Sequence, residues 1–151
     1  GLILCQWAKA LGVTTVGTVS TPEKAEVAKT AGCHHPVVRS EQNFVDVVKD
    51  VTDGEGCAVV YEAIGKDTLN KSLDSLRPMG VCAAYGHVSG PPDPIDIIQD
   101  LGRRGSLFIT RPAIMHYVAK RSDLEWTAKD LFIAIGNGTL DAHHDDGGAL
   151  D

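Results

Sequence analysis

The chain has 151 residues, 43% apolar and 23% charged, the proportions of a soluble globular domain long enough to bury a core. Its formal net charge of −6 argues against a general nucleic-acid surface, which needs clustered Lys and Arg. No apolar run reaches the roughly 20 residues of a membrane span, and Cys5, Cys33, Cys57 and Cys82 form no C-x-x-C pair, so buried free thiols in a reducing cytoplasm are expected rather than a zinc knuckle or a disulfide framework.

Good helix formers over residues 2–11, closed by Gly12, predict a helix, and a strand over 14–19 follows at once. A second helix is expected over 21–30, a short strand over 35–38, and a third helix over 44–51, where Phe44, Val45, Val47, Val48 and Val51 recur at helical spacing. Residues 53–56 supply its stop. The continuous apolar run 57–61 reads as a strand buried on both faces of a parallel sheet. A helix over 67–76, a turn over 77–80 and an apolar strand over 81–85 come next. The loop 89–94 leads into residues 95–101, a strand over 106–110 and a last helix over 123–135, after which 142–151 lacks an apolar period and is expected to fray. Strands separated by single helices imply right-handed crossovers and a mostly parallel sheet, an α/β fold.

The junction from Thr14 to Lys24 carries the most chemistry. A dinucleotide-binding fold that prefers the plain coenzyme usually places an acid near this point to hold the ribose 2′-hydroxyl, whereas a cation suits a 2′-phosphate. No acid ends this strand; Ser20 and Lys24 stand there instead. A second explanation stays open: Ser20-Thr21-Pro22-Glu23 also fits a capping box, in which Ser20 and Glu23 satisfy amides at the helix start.

In Gly1-Leu2-Ile3-Leu4-Cys5-Gln6-Trp7-Ala8-Lys9-Ala10-Leu11-Gly12, in Gly17-Thr18-Val19-Ser20-Thr21, in Lys66-Asp67-Thr68, Lys71-Ser72-Leu73-Asp74 and Leu76-Arg77-Pro78, and above all in Gly105-Ser106-Leu107-Phe108-Ile109-Thr110-Arg111-Pro112, the chain resembles the zinc-independent quinone oxidoreductases, the zeta-crystallin-like branch of the medium-chain dehydrogenase/reductase superfamily. The resemblance runs from Gly1 to about Leu140. It implies a Rossmann-type doubly wound parallel sheet, here a fragment lacking the first, central strand, with residues 1–140 a partial NADPH-binding domain, 141–151 a tail, and the N-terminal substrate domain absent from this chain. Gly1 would be the last glycine of the cofactor loop. Such a piece would leave two apolar strands with unpaired edges, so it is expected to be poorly stable alone and inactive.

Carried over by position, Ser20 and Lys24 would bind the 2′-phosphate of NADPH. Arg39 stands where the family commonly has a tyrosine; it would stack on adenine, add charge to the phosphate pocket, or simply be a solvated surface side chain. Beyond the carboxyl ends of later strands, Ala63, with Ile64 and Gly65, and then Tyr85, Gly86 and His87 are candidates for the nicotinamide side, where the family usually shows Phe-Gly-Asn. His87 would contact ribose or carboxamide, or be merely exposed. Glu62 is expected to be structural or a cofactor contact rather than a base, because the cofactor carries the chemistry and water can supply the proton; no side chain is assigned as catalytic. His34-His35 and His143-His144-Asp145-Asp146 lack the spacing of a closed metal site, and no metal is expected.

The strand 106–110, from Ser106 to Thr110, would pair with its copy in a homodimer, or else be an edge guarded by Arg103, Arg104 and Arg111. The function implied is NADPH-dependent reduction of a small quinone. The alternatives are a medium-chain enone or enoyl reductase and a non-catalytic nucleotide-binding or dimerisation module. A methyltransferase of similar topology is disfavoured because it usually has an acid where Ser20 stands.

Overall fold

The element order is α1 (Leu2–Ala10), β1 (Val16–Val19), α2 (Pro22–Thr30), β2 (His35–Val38), α3 (Phe44–Val51), β3 (Cys57–Glu62), α4 (Leu69–Asp74), β4 (Leu76–Ala84), a wide π-turn (Ile97–Gly102), β5 (Phe108–Thr110), α5 (Ile114–Tyr117) and α6 (Arg121–Gly136). The structure is a computed structural model and describes residues 1–142. It divides into two units: residues 1–41 together with the described chain from Tyr117 onward, and Gln42–His116. The expected tail beyond Ala142, with its His143-His144 pair, lies outside the described residues.

In the first unit β1 and β2 pair in parallel, Val16 opposite His35 and Val19 opposite Val38. Helix α2 packs on both strands, and Ala28, Ala31, Cys33, Val37 and Val38 are buried. Helix α1 ends because Gly12 takes a φ of +71°, the left-handed conformation that closes a helix without a Cβ penalty. Leu140 is buried, and Gln6 holds the next residue from both sides: its amide N–H donates to the Asp141 carbonyl at 3.2 Å and its oxygen accepts the Asp141 N–H at 2.6 Å.

In the second unit β3, β4 and β5 form a parallel sheet in that order. Leu69 and Leu73 of α4 pack with Leu76, Cys82 and Leu107 in a core that also takes Val60 and Ile109. Within each sheet, β1-β2 and β3-β4-β5, the parallel neighbours are those of a Rossmann-type fold. Two expectations need correction. The apolar run of β3 is not buried on both faces: Val60 and Glu62 face the core, whereas Val59 and Tyr61 on the opposite face are 44% and 57% exposed. Nor do residues 77–80 form a turn before the strand. Strand β4 starts at Leu76 and bulges there, the register jumping from Cys57 opposite Leu76 to Val59 opposite Val81, with Met79 at a φ of +60°. The Met79 N–H reaches the Gly105 carbonyl at 2.8 Å, so the excursion is tied to the approach of β5.

Candidate functional site

In a parallel sheet, residues that follow the carboxyl ends of the strands face the ligand crevice. In the first unit these are Ser20 after β1 and Arg39 after β2. They leave the sheet side by side: Val19 pairs with Val38, and the Arg39 N–H donates to the Val19 carbonyl at 3.0 Å. The cap of α2 is Thr21, one residue later than the capping-box expectation placed it. Thr21 is extended (φ −139°, ψ 159°), its hydroxyl accepts the Lys24 N–H at 3.3 Å, and Pro22 takes the first helical position. The Thr21 hydroxyl, with the Glu23 backbone N–H, also holds the Glu23 carboxyl below its usual range. Helix capping therefore does not use the Ser20 side chain, and Ser20 is exposed. Lys24 and Arg39 are exposed too, and among the described residues neither has an ion-pair partner, the pairs being Arg77–Glu55, Arg104 with Asp74 and Asp100, and Arg121–Glu125. Gly1 stands at the N-cap of α1, where a Cβ would meet nothing within 4 Å, so no steric demand for glycine is visible there.

In the second unit the loops after β3 and β4 are joined. The Glu62 carbonyl accepts the N–H groups of Tyr85 (2.9 Å) and Gly86 (3.2 Å). The Ile64 carbonyl accepts from both the backbone N–H (2.8 Å) and the hydroxyl (2.8 Å) of Ser89, and Ser89 Oγ in turn accepts the Asp67 N–H at 3.1 Å. Gly86 lies so close to Ala63 that a Cβ on it would stand 2.2 Å from the Ala63 carbonyl oxygen, a contact that explains this glycine from within the protein. Tyr85 and His87 project from the assembly and are exposed.

Glu62 organises this assembly and is 4% exposed. Its Oε1 accepts the N–H groups of Ile64 (2.7 Å) and Gly65 (3.1 Å) and the Thr68 hydroxyl (2.9 Å), while Oε2 accepts the Ser72 hydroxyl. A carboxylate engaged on both oxygens suits the structural role expected for it and not that of a base.

Arg111, just past β5, reaches back to the same assembly. Its Nη1 donates to the Ala84 carbonyl at 2.9 Å and its Nη2 lies 3.3 Å from His87 Nδ1. Arg104 is bound to Asp74 (2.7 Å) and Asp100 (2.6 Å), so two of the three arginines expected to guard the β5 edge have other partners. Sequence reasoning missed the link from Arg111 to His87, which joins residues 24 positions apart and leaves no mark in local spacing.

All four thiols are free. Cys33 and Cys82 are buried, whereas Cys5 and Cys57 are only half-buried. Burial, with the Glu62 charge nearby, pushes Cys82 up to about 11, and burial raises Cys57 as well. Cys5 donates its S–H to Cys33, which pushes Cys5 up and brings Cys33 down to about 6. Among the described residues no cluster of three or more His, Cys, Asp or Glu could hold a metal ion, and no helix is long and apolar enough to cross a membrane.

Residues 1–124 match the family model described as zinc-binding dehydrogenase. The chain belongs to that family. Within it the chain lies on the zinc-independent quinone oxidoreductase branch of the medium-chain dehydrogenase/reductase superfamily. It is 57% identical over 140 residues to a 2-haloacrylate reductase of Burkholderia sp, covering 93% of this chain and 42% of the relative. It is 41% identical over 140 residues to a quinone oxidoreductase of Pseudomonas aeruginosa, covering 93% of this chain and 43% of the relative. Among solved structures, a 2-haloacrylate reductase superimposes with a TM-score of 0.91 at 56% identity, covering 94% of this chain and 44% of that one. The quinone oxidoreductase of Escherichia coli complexed with NADPH superimposes with a TM-score of 0.88 at 38% identity, covering 93% and 43%. The chain thus spans less than half the length of the relatives it matches.

Proposed function

We propose that this chain is the cofactor-binding portion of an NADPH-dependent reductase that acts on conjugated carbonyl acceptors such as quinones. One observation supports the cofactor assignment: Ser20 and Arg39 follow the adjacent carboxyl ends of β1 and β2 and Lys24 lies in the first turn of α2, with the cap duty taken by Thr21 and no carboxylate paired to either cation among the described residues. A 2′-phosphate fits that donor set. Lys24 offers a point charge, Arg39 a planar fork of N–H donors, and Ser20 a hydroxyl. Known relatives of this branch include one solved with NADPH.

The dihydronicotinamide, when bound, supplies the hydride. This chain's residues bind and orient it. Ala63 and Gly86 bring two backbone segments close together, and these small residues are the ones proposed to face the nicotinamide. Tyr85 offers an exposed aromatic face. His87 offers an N–H to a ribose hydroxyl, a carboxamide or a substrate oxygen. With Glu62 fully engaged, water supplies the proton that completes reduction. A homodimer joined through the β5 edge, in a cytoplasmic protein, completes the proposal.

A second reading concerns the acceptor. Identity is higher to a 2-haloacrylate reductase than to a quinone oxidoreductase, 57% against 41%, which favours a conjugated carboxylate as the acceptor. The two chemistries share hydride addition to an electron-poor carbon-carbon double bond. Calorimetric titration with NADPH and NADH tests the cofactor assignment. Preference for NADPH, lost in Lys24→Glu, is the expected result; equal affinity for the two coenzymes overturns it.

A further inference from the structure

The geometry points to Arg111 and His87 as a paired oxygen anchor that selects carboxylate-bearing conjugated acceptors over neutral quinones, an inference that rests on the reductase reading above. A guanidinium donates and never accepts, so the His87 Nδ1 that faces Arg111 Nη2 at 3.3 Å must present its lone pair, and the ring proton sits on Nε2. Arg111 thereby fixes the His87 tautomer with its free N–H on the edge away from the guanidinium. Among the described residues only one other contact occupies Arg111, the bond from Nη1 to the Ala84 carbonyl, which leaves further N–H donors on an exposed side chain. No carboxylate pairs with Arg111 among the described residues, and the acid at the base of these loops, Glu62, is buried and consumed by Ile64, Gly65, Thr68 and Ser72. His87 stands past the carboxyl end of β4, on the loop that carries Tyr85 and Gly86, and Arg111 stands just past the carboxyl end of β5.

The charge that develops during reaction explains why such a pair discriminates. When hydride adds to the β-carbon of an acrylate, the π electrons move toward the carboxylate, which then carries two negative charges as an enediolate. The α-carbon afterwards takes a proton from water, and the carboxylate returns to a single charge. In a quinone the same addition leaves one negative charge on one oxygen. A fixed cation with an adjacent N–H therefore stabilises the acrylate transition state more, and removing one such preorganised donor typically lowers rate by about 100- to 1000-fold.

The test uses the whole protein with 2-chloroacrylate and 1,4-benzoquinone as alternative acceptors, alongside nitrogen-15 NMR of the His87 ring. Expected are an Nε2–H tautomer, a fall in kcat/KM for 2-chloroacrylate of about 100-fold in Arg111→Gln, and a fall of less than about tenfold for benzoquinone. His87→Asn carries the same comparison if Arg111→Gln does not fold, with the acrylate-to-quinone ratio dropping at least about tenfold. Equal losses on both acceptors, or an Nδ1–H tautomer, overturn the inference while leaving the reductase reading intact. Failure of the unaltered protein to bind NADPH overturns that reading instead.

Discussion

Removing the carboxylate of Glu62 tests what holds the post-β3 and post-β4 loops together. Four donors converge on it: the Ile64 and Gly65 amides and the Thr68 and Ser72 hydroxyls. In Glu62→Ala the hydroxyls can rotate to other acceptors but the two amides cannot. A buried donor left without an acceptor costs roughly 1–3 kcal/mol, so the two together cost roughly 2–5 kcal/mol, the Ile64 amide being only partly buried. Glu62→Gln keeps one oxygen for the amides and turns an NH2 toward Ser72, whose hydroxyl can accept; the loss is the difference between charged and neutral hydrogen bonds, about 1–2 kcal/mol. At about 2–4 °C per kcal/mol for a chain of this size, the glutamine variant should melt roughly 2–8 °C lower and the alanine variant lower still. Circular dichroism melts give the shift, and hydrogen exchange at the Ile64 and Gly65 amides locates it. An alanine variant that melts within about 2 °C of the parent, with exchange at both amides unchanged, would refute the claim that this carboxylate holds the loops.

Ser20 and Thr21 should separate cleanly: Thr21→Ala loses the α2 cap and about 1 kcal/mol of stability in a denaturant titration with little change in coenzyme affinity, whereas Ser20→Ala does the reverse. Lys24→Glu should abolish preference for NADPH over NADH in calorimetry while leaving the circular dichroism spectrum intact. Thiolate absorbance near 240 nm should appear around pH 6 from Cys33 and move to higher pH in Cys5→Ala, because the Cys5 S–H that lowers Cys33 is gone. Since the folded value lies below the ordinary 9.0, the Cys33 contribution to stability should grow as pH rises from about 6 toward 9 and be lost on acidification through the same range, which melts at pH 6 and 8 would detect.

Much of the fold was legible because the punctuation is strong. Gly12 stops α1, the run His35-Pro36-Val37-Val38 is β2, and the valine spacing of α3 matches Phe44–Val51 to the residue. The cap of α2 was read one residue too early, at Ser20, although the proline marks it. Proline favours the first helical position, so the residue before Pro22 must be the cap, and Thr21 has that role rather than Ser20. Other features depend on partners far along the chain. The bulge in β4 exists because Met79 meets Gly105, and nothing within residues 77–80 announces it. Helix α5 is four residues long and lacks the period or stop signals that would reveal it. The exposed face of β3 could not be told from a buried one, since Val59 and Val60 are chemically alike and only the position of α4 distinguishes them. Within each unit, the residues that follow the strands, Ser20 and Arg39 in the first and the post-β3 and post-β4 loops in the second, could be placed from the sequence. The engagement of Arg111 with His87 was not, because it closes across two strands.

The steric fit of Gly86 against Ala63, reinforced by Ser89 bridging Ile64 and Asp67, makes these loops a single inherited part. An engineer who wished to retune the acceptor by transplanting residues 85–90 from a cousin would import one half of a lock. Residues 62–67 would have to travel with them, or the new segment would meet a carbonyl where it needs room.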